Sequence, residues 1–271
     1  MGNDNHQPIG VFDSGIGGLT AMKELLKILP NEDIVYFGDT ARVPYGSHSP
    51  ETIRRFAQQD LKFLLSQNVK AVLIACGTVS STAIDVLRTA AEIPIIGVIH
   101  AAATKAVKES NNQRVAVLAT QATIRSHAYR DAILRIDPAF SVIEKACPLF
   151  VPLIENGFSD RNNPVTRMVV RQYLEDIKPF DADTVILGCT HYPLIKEIIS
   201  DFMPGIHVVE AGKEAAIRLG TVLEELSLET KSIYPGKRRY FVSEKTESFK
   251  DTCEMFLGEH IEEAIEIVDL Q

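Results

Sequence analysis

Eight short apolar runs recur along the chain with helix-like stretches between them, and this alternation restricts the fold more than any other feature. The runs fall at 9–12, 34–37, 72–74, 95–96, 115–118, 142–143, 185–187 and 208–209, and amphipathic segments such as 51–66 and 161–177 lie between them. Strand-length apolar runs separated by amphipathic helices are the pattern of βαβ units with parallel sheets. The predicted fold class is α/β.

Two of the runs end in matching ways. Ala-Cys-Gly-Thr at 75–78 follows 72–74, and Gly-Cys-Thr-His at 188–191 follows 185–187. Each thiol is thereby placed at the carboxyl end of a strand, where open α/β sheets bind ligands. The run ending at Phe12 before Asp13-Ser14 has a counterpart ending at Leu118 before Ala119-Thr120, at a similar offset. Strand-to-loop junctions that recur at one offset predict two related half-molecules, each with its own sheet, and a cleft between them holding both thiols. The break is expected near 97–101, with a C-terminal strand at 239–242 and a helix at 248–257 returning to the first half. The expected domains are residues 1–97 plus 209–271, and residues 98–208. Such a double crossing makes a natural hinge.

Composition narrows the function. A chain of 271 residues with 45% hydrophobic and 24% charged side chains can bury a full core. Its 28 basic and 36 acidic residues give a formal charge of −8 with no basic stripe, which opposes a nucleic-acid surface and favours a small-molecule substrate. The apolar runs are too short to span a bilayer and the leader 1–8 is polar, so a cytoplasmic protein without a membrane partner is expected. In that compartment the 4 cysteines read as free thiols, and no CxxC pair marks a metal site.

A cysteine after an apolar strand is ordinarily a small core residue, and Cys147 and Cys253 are read that way. Cys76 and Cys189 stand apart because their contexts match. Facing each other across a ligand, one thiolate would take a proton while the opposite thiol gave one, which inverts a stereocentre. Metal binding by the pair lacks the further His/Cys cluster that a closed site needs. Asp13-Ser14-Gly15-Ile16-Gly17-Gly18 allows a tight turn into a helix, with Ser14 and the helix N-terminus as donors to an anion. The GxGxxG spacing of dinucleotide sites is absent, and Asp13 would repel a pyrophosphate but bind an ammonium, so an amino acid fits better. In the loop 38–46, Tyr45 and the Gly46 amide are candidates to hold a carboxylate, whereas Arg42 reads as a surface or intersubunit charge. Thr78, Thr190 and His191 follow the thiols closely enough to touch a substrate or tune thiol acidity.

Four segments together carry a resemblance: 13–18, Gly-Asp-Thr-Ala-Arg-Val-Pro-Tyr-Gly at 38–46, Cys-Pro-Leu-Phe-Val-Pro-Leu-Ile-Glu at 147–155, and Gly-Cys-Thr-His-Tyr-Pro-Leu at 188–194. In this order they closely resemble the bacterial glutamate racemases of the aspartate/glutamate racemase superfamily. The resemblance implies two pseudo-symmetric α/β domains with the active site between them, usually dimeric, and a cofactor-independent interconversion of L- and D-glutamate for peptidoglycan. By position it implies that Cys76 takes the α-proton of D-glutamate and Cys189 that of L-glutamate. Asp13, His191 and Glu155 match the assisting groups, and Asp13, Ser14, Tyr45, Gly46, Gly77, Thr78, Thr190 and His191 match the substrate contacts. Gly77 departs from the family, which usually has Asn there. A lost hydrogen bond to a charged group is worth about 1.5–3 kcal/mol, which predicts weaker glutamate binding or an altered preference. Val-Glu-Ala-Gly at 209–212 also departs from a more usual Val-Asp-Ser. The alternatives are an aspartate or broad aspartate/glutamate racemase and, from another class, a non-catalytic amino-acid-binding or regulatory protein.

Overall fold

The computed structural model describes residues 5–245, 249–261 and 264–270. Residues 1–4 of the polar leader, and Ser248 at the expected start of the last helix, lie outside the described residues. Among the described residues ten strands form two parallel sheets. The first sheet takes β1 (Ile9–Asp13), β2 (Ile34–Gly38), β3 (Ala71–Ile74) and β4 (Ile95–Gly97). The second takes β5 (Arg114–Ala119), β6 (Ser141–Ala146), β7 (Thr184–Leu187) and β8 (His207–Glu210). Then β9 (Arg238–Val242) and β10 (Ile265–Ile267) join the first sheet, whose order is β10-β9-β2-β1-β3-β4, while the second runs β6-β5-β7-β8.

Helices cover the sheets, so β1, β2, β3 and β7 are buried along their whole length. Strands buried on both faces need no polar alternation, which is why they read as solid apolar runs. The edge strand β6 is half-buried and mixed, and sequence pattern detects only its middle. β10, with Ile-Glu-Ile, is too short at 3 residues to stand out as a strand.

The repeat is visible in topology. β2-β1-β3-β4 and β6-β5-β7-β8 are the same order, so β5 is the counterpart of β1 and β7 of β3. In each half the chain steps from the central pair to opposite sides, which opens a crevice at the carboxyl ends of that pair. Cys76 lies two residues past β3 and Cys189 two residues past β7, one in each crevice.

The chain passes between the sheets twice. After β4 the helix Val98–Glu109 packs against β7 and β8, and after β8 the helix Ala211–Glu225 packs against the helices Leu19–Ile28 and Val98–Glu109. β9 pairs with β2, which is the C-terminal return expected from 239–242. Helix ends follow their caps. The helix expected at 51–66 is Pro50–Ser66, with Pro at its first turn and the Ser49 hydroxyl accepting from the Thr52 N–H. The one expected at 161–177 is Pro164–Glu175, because the Asn163 side chain accepts from the Val165 and Thr166 N–H groups and fixes the start there. Its Thr166, Val170 and Leu174 form the buried stripe. Among the described residues no helix is long and apolar enough to cross a membrane.

Candidate active site

All eleven residues singled out from sequence (Asp13, Ser14, Tyr45, Gly46, Cys76, Gly77, Thr78, Glu155, Cys189, Thr190 and His191) line one cavity of about 430 Å³ between the carboxyl ends of the two sheets. A larger hollow of about 680 Å³ lies at the opposite strand ends, beside Lys70, Arg88 and Leu228. Its buried Lys70 is already paired with Glu32 at 2.6 Å, so it offers no convergent acid and base. The chemistry belongs to the smaller cavity.

On the first side, β1 ends at Asp13 and β3 delivers Cys76, which is 5% exposed. The Ser14 Oγ and Cys76 Sγ are 3.3 Å apart. Asp13 is buried, and its Oδ2 accepts the Gly15 N–H at 3.1 Å while its Oδ1 has no partner. Burial raises the Asp13 carboxyl above its ordinary value, with the His191 charge pulling the other way. Leaving a buried carboxylate oxygen unpaired costs about 1–3 kcal/mol, and a ligand ammonium would remove that cost. Burial, and then the Asp13 charge, push the Cys76 thiol up to about 12. In the free protein Cys76 is therefore a thiol, a proton donor in waiting.

On the second side, β7 delivers Cys189, 9% exposed, and the turn after it brings His191 alongside. His191 Nδ1 lies 3.9 Å from the Cys189 sulfur and 3.2 Å from Thr190 Oγ1, and Nε2 lies 2.9 Å from Glu155 Oε1. Burial works against a charged imidazole here, but the hydrogen bonds to Cys189 and Glu155 push it up to about 10. These partners favour the imidazolium form of His191, and a positive charge so placed would lie 3.9 Å from the Cys189 sulfur. The two thiols thus have unlike companions, a buried carboxyl group beside Cys76 and an imidazole of raised pKa beside Cys189. Unlike environments of this kind divide acid and base roles between chemically identical groups.

Two glycines let the halves meet. A Cβ at Gly77 would stand 2.3 Å from the Gly188 carbonyl oxygen, and one at Gly17 would stand 2.3 Å from Thr190 Oγ1. The Thr20 hydroxyl donates to the Thr190 carbonyl at 2.8 Å beside the second of these contacts. Gly77 is thus more than a missing amide, since its bare backbone is what allows the two thiol-bearing loops to touch.

Other groups in the cavity escaped the sequence reading. Thr120 lines it, and its Oγ1 lies 3.1 Å from Thr78 Oγ1 and 3.0 Å from Thr123 Oγ1, forming a hydroxyl cluster across the cleft. The signal was present, because Ala119-Thr120 is the counterpart of Asp13-Ser14. Cys147, read as structural, is buried yet contributes to the cavity wall, and its thiol is directed to the Lys145 carbonyl at 3.7 Å. Cys253 is buried in the helix Phe249–Leu257, away from the cavity, as expected. The phenol of Tyr45 is engaged inward by Asp39 and Asp60, so the turn rather than a free hydroxyl is what Tyr45 brings to the site.

A parallel α/β fold doubled about a cleft, with one thiol from each half, defines the class: the chain belongs to the Asp/Glu/Hydantoin racemase family, whose model matches residues 9–218. A glutamate racemase of Geobacter metallireducens is 43% identical over 251 residues, 92% of each chain. The crystal structure of the Francisella tularensis glutamate racemase in complex with D-glutamate superposes with a TM-score of 0.92 at 42% identity, covering 99% of both chains. That of a Bacillus anthracis glutamate racemase gives a TM-score of 0.94 at 35% identity, covering 98% of this chain and 99% of the other.

Proposed function

We propose that the protein is an amino-acid racemase that interconverts L- and D-glutamate by proton transfer between Cys76 and Cys189, with no cofactor. The observation that carries this is the placing of Cys76 and Cys189 in one cavity, with the buried carboxyl group of Asp13 beside the first and the hydrogen-bonded imidazole of His191 beside the second. The relatives named above, nearly full-length and glutamate racemases, support the substrate.

In this reading the Cys189 thiolate, beside His191, removes the α-proton of L-glutamate, and the Cys76 thiol returns a proton to the opposite face. D-Glutamate runs the sequence backwards, with Cys76 as base and Cys189 as acid. The unpartnered Asp13 Oδ1 receives the ammonium, and Ser14, Gly77, Thr78 and Thr190 bind about the α-carbon. The Tyr45-Gly46 turn holds the distal carboxylate. An amino-acid α-carbon is a weak acid, so oriented donors around the α-carboxylate must stabilise the developing negative charge. The expected domains, 1–97 plus 209–271 and 98–208, close around the substrate. The same reading carries a dimeric, cytoplasmic enzyme whose D-glutamate enters peptidoglycan.

The test is proton NMR of D- and L-glutamate, with aspartate in parallel, incubated in D₂O with the purified protein. Deuterium at Cα with inversion of glutamate supports the reading, and a higher specificity constant for aspartate replaces the substrate. Binding without exchange would turn the protein into a non-catalytic amino-acid receptor.

His191 gives a further expectation. Its folded pKa is raised, so the imidazolium is favoured by the fold below the ordinary value near 6.5 and its contribution is lost as pH rises through about 10. Activity towards L-glutamate should therefore fall on the alkaline side near that value. Glu155→Gln removes one of the two partners that hold the charge, so the alkaline limb of kcat/KM for L-glutamate should move to lower pH. An unchanged limb would mean that Glu155 does not act through His191.

A further inference from the structure

Behind the Tyr45-Gly46 turn lies a buried acid pair that the proton-transfer reading does not use. Asp39, one residue past β2, and Asp60, in the middle of the helix Pro50–Ser66, both have fully buried side chains. One guanidinium serves both: Arg42 Nε lies 2.6 Å from Asp39 Oδ2 and Nη2 lies 3.0 Å from Asp60 Oδ1. Arg42 also donates to Gln59 Oε1 at 2.5 Å and stacks over Phe56 at 4.2 Å, so this half-buried side chain is engaged within the corner. Two carboxylates against one cation leave an uncompensated buried charge, an arrangement costly enough to need a further proton or a further partner.

Counting protons shows where it sits. Asp39 accepts from the Ser243 hydroxyl at 2.8 Å, from Arg42 and from the Tyr45 phenol, three donors around one carboxyl group. The Tyr45 oxygen also lies 2.9 Å from Asp60 Oδ2. A phenol has one hydrogen. Once it is given to Asp39, the second contact is a hydrogen bond only if Asp60 donates it. We propose that Asp60 is a positioning residue held as an un-ionised carboxylic acid, donating to the Tyr45 phenol, which donates to Asp39, so that the relay fixes the Tyr45–Ser47 turn against the cavity.

The electrostatic surroundings agree. Burial first, and then the Asp39 charge, hold Asp60 well above the usual carboxylate range, with Arg42 and the hydrogen bond to Tyr45 opposing and the more distant Asp13 adding to the rise. The groups facing it are Asp39 after β2, Arg42 and Tyr45 in the loop, and Asp13 at the end of β1; His48 packs edge-on against Phe56 and lies 3.3 Å from the Arg42 carbonyl. Because the folded pKa is raised, the fold favours the protonated form. That contribution is complete below the ordinary value near 3.9 and is lost as pH rises through the folded value, when Asp60 and Asp39 repel across Tyr45.

The role rests on the reading that the Tyr45-Gly46 turn holds a substrate carboxylate, and the test separates the two. In Asp60→Asn the amide can accept from Arg42 and donate to Tyr45, so the relay survives without a titrating proton. The infrared difference spectrum of wild type minus D60N should contain the carbonyl band of an un-ionised carboxylic acid at neutral pH, a result independent of any substrate. In kinetics, Tyr45→Phe should raise KM for glutamate about 10-fold with little change in kcat. D60N should keep KM within about twofold at neutral pH and abolish a rise of KM at alkaline pH that wild type displays. Absence of the carboxylic-acid band, or a D60N defect as large as that of Y45F, overturns the proposal. If wild type fails to racemise glutamate, the substrate reading has failed, and the infrared band still decides the state of Asp60.

Discussion

Cys76→Ala and Cys189→Ala are each expected to abolish inversion of glutamate while leaving the fold intact. In the proposed mechanism each sulfur exchanges a proton with one face of the α-carbon, and a positioned acid or base contributes about 10²–10⁴ in rate. The loss in kcat should be about 10³-fold or more, roughly 4 kcal/mol of barrier. The variants should also differ from each other. Cys189→Ala keeps Cys76 beside D-glutamate, so in D₂O it can return deuterium to the same face without inverting, and Cys76→Ala should act likewise on L-glutamate. Both sulfurs are small and buried, so circular dichroism should show little change in either variant. Inversion at the wild-type rate in either variant would sink the two-thiol mechanism.

Gly77→Asn, which restores the residue usual in the family, is expected to lower kcat by about 100-fold. From sequence, the asparagine promises an added hydrogen bond and tighter binding. The structure reverses the sign: the new Cβ would stand 2.3 Å from the Gly188 carbonyl oxygen, a backbone atom that cannot rotate away. The two loops must then separate, and with them the two thiols. A displacement near 1 Å in a reacting group can cost about 10²-fold. Gly77→Ala should give part of the loss, since it introduces the same Cβ without the amide. A Gly77→Asn variant with unchanged kcat and lower KM would show that the closure is not fixed here and that the amide contact dominates.

The strands were legible because buried parallel strands write themselves as continuous apolar runs, and β3 and β7 were found to within a residue or two. The candidate site was legible for a related reason. Strand ends in open sheets face one crevice, so residues at or just past the ends of β1, β3 and β7 had to gather, and Asp13, Cys76 and Cys189 do. β10 was missed because a short edge strand carries no pattern, and the helix Pro164–Glu175 was overextended because amphipathicity does not register the Asn163 cap. The ion pair of Arg42 with Asp60 was not legible, because its partner lies on a separate element, the helix Pro50–Ser66.

The sequence by itself determined the α/β class, the doubled arrangement and the identity of the two thiols, since all of these follow from local periodicity and from junctions that repeat. Only the tertiary structure decided what stands beside each thiol, how closely Gly77 approaches Gly188, that Thr120 belongs to the cavity, and that the Tyr45 phenol turns inward to Asp39 and Asp60. Most of these are contacts between residues far apart in the chain. Their distances are set by how two sheets and their covering helices pack, and no spacing along the sequence encodes that.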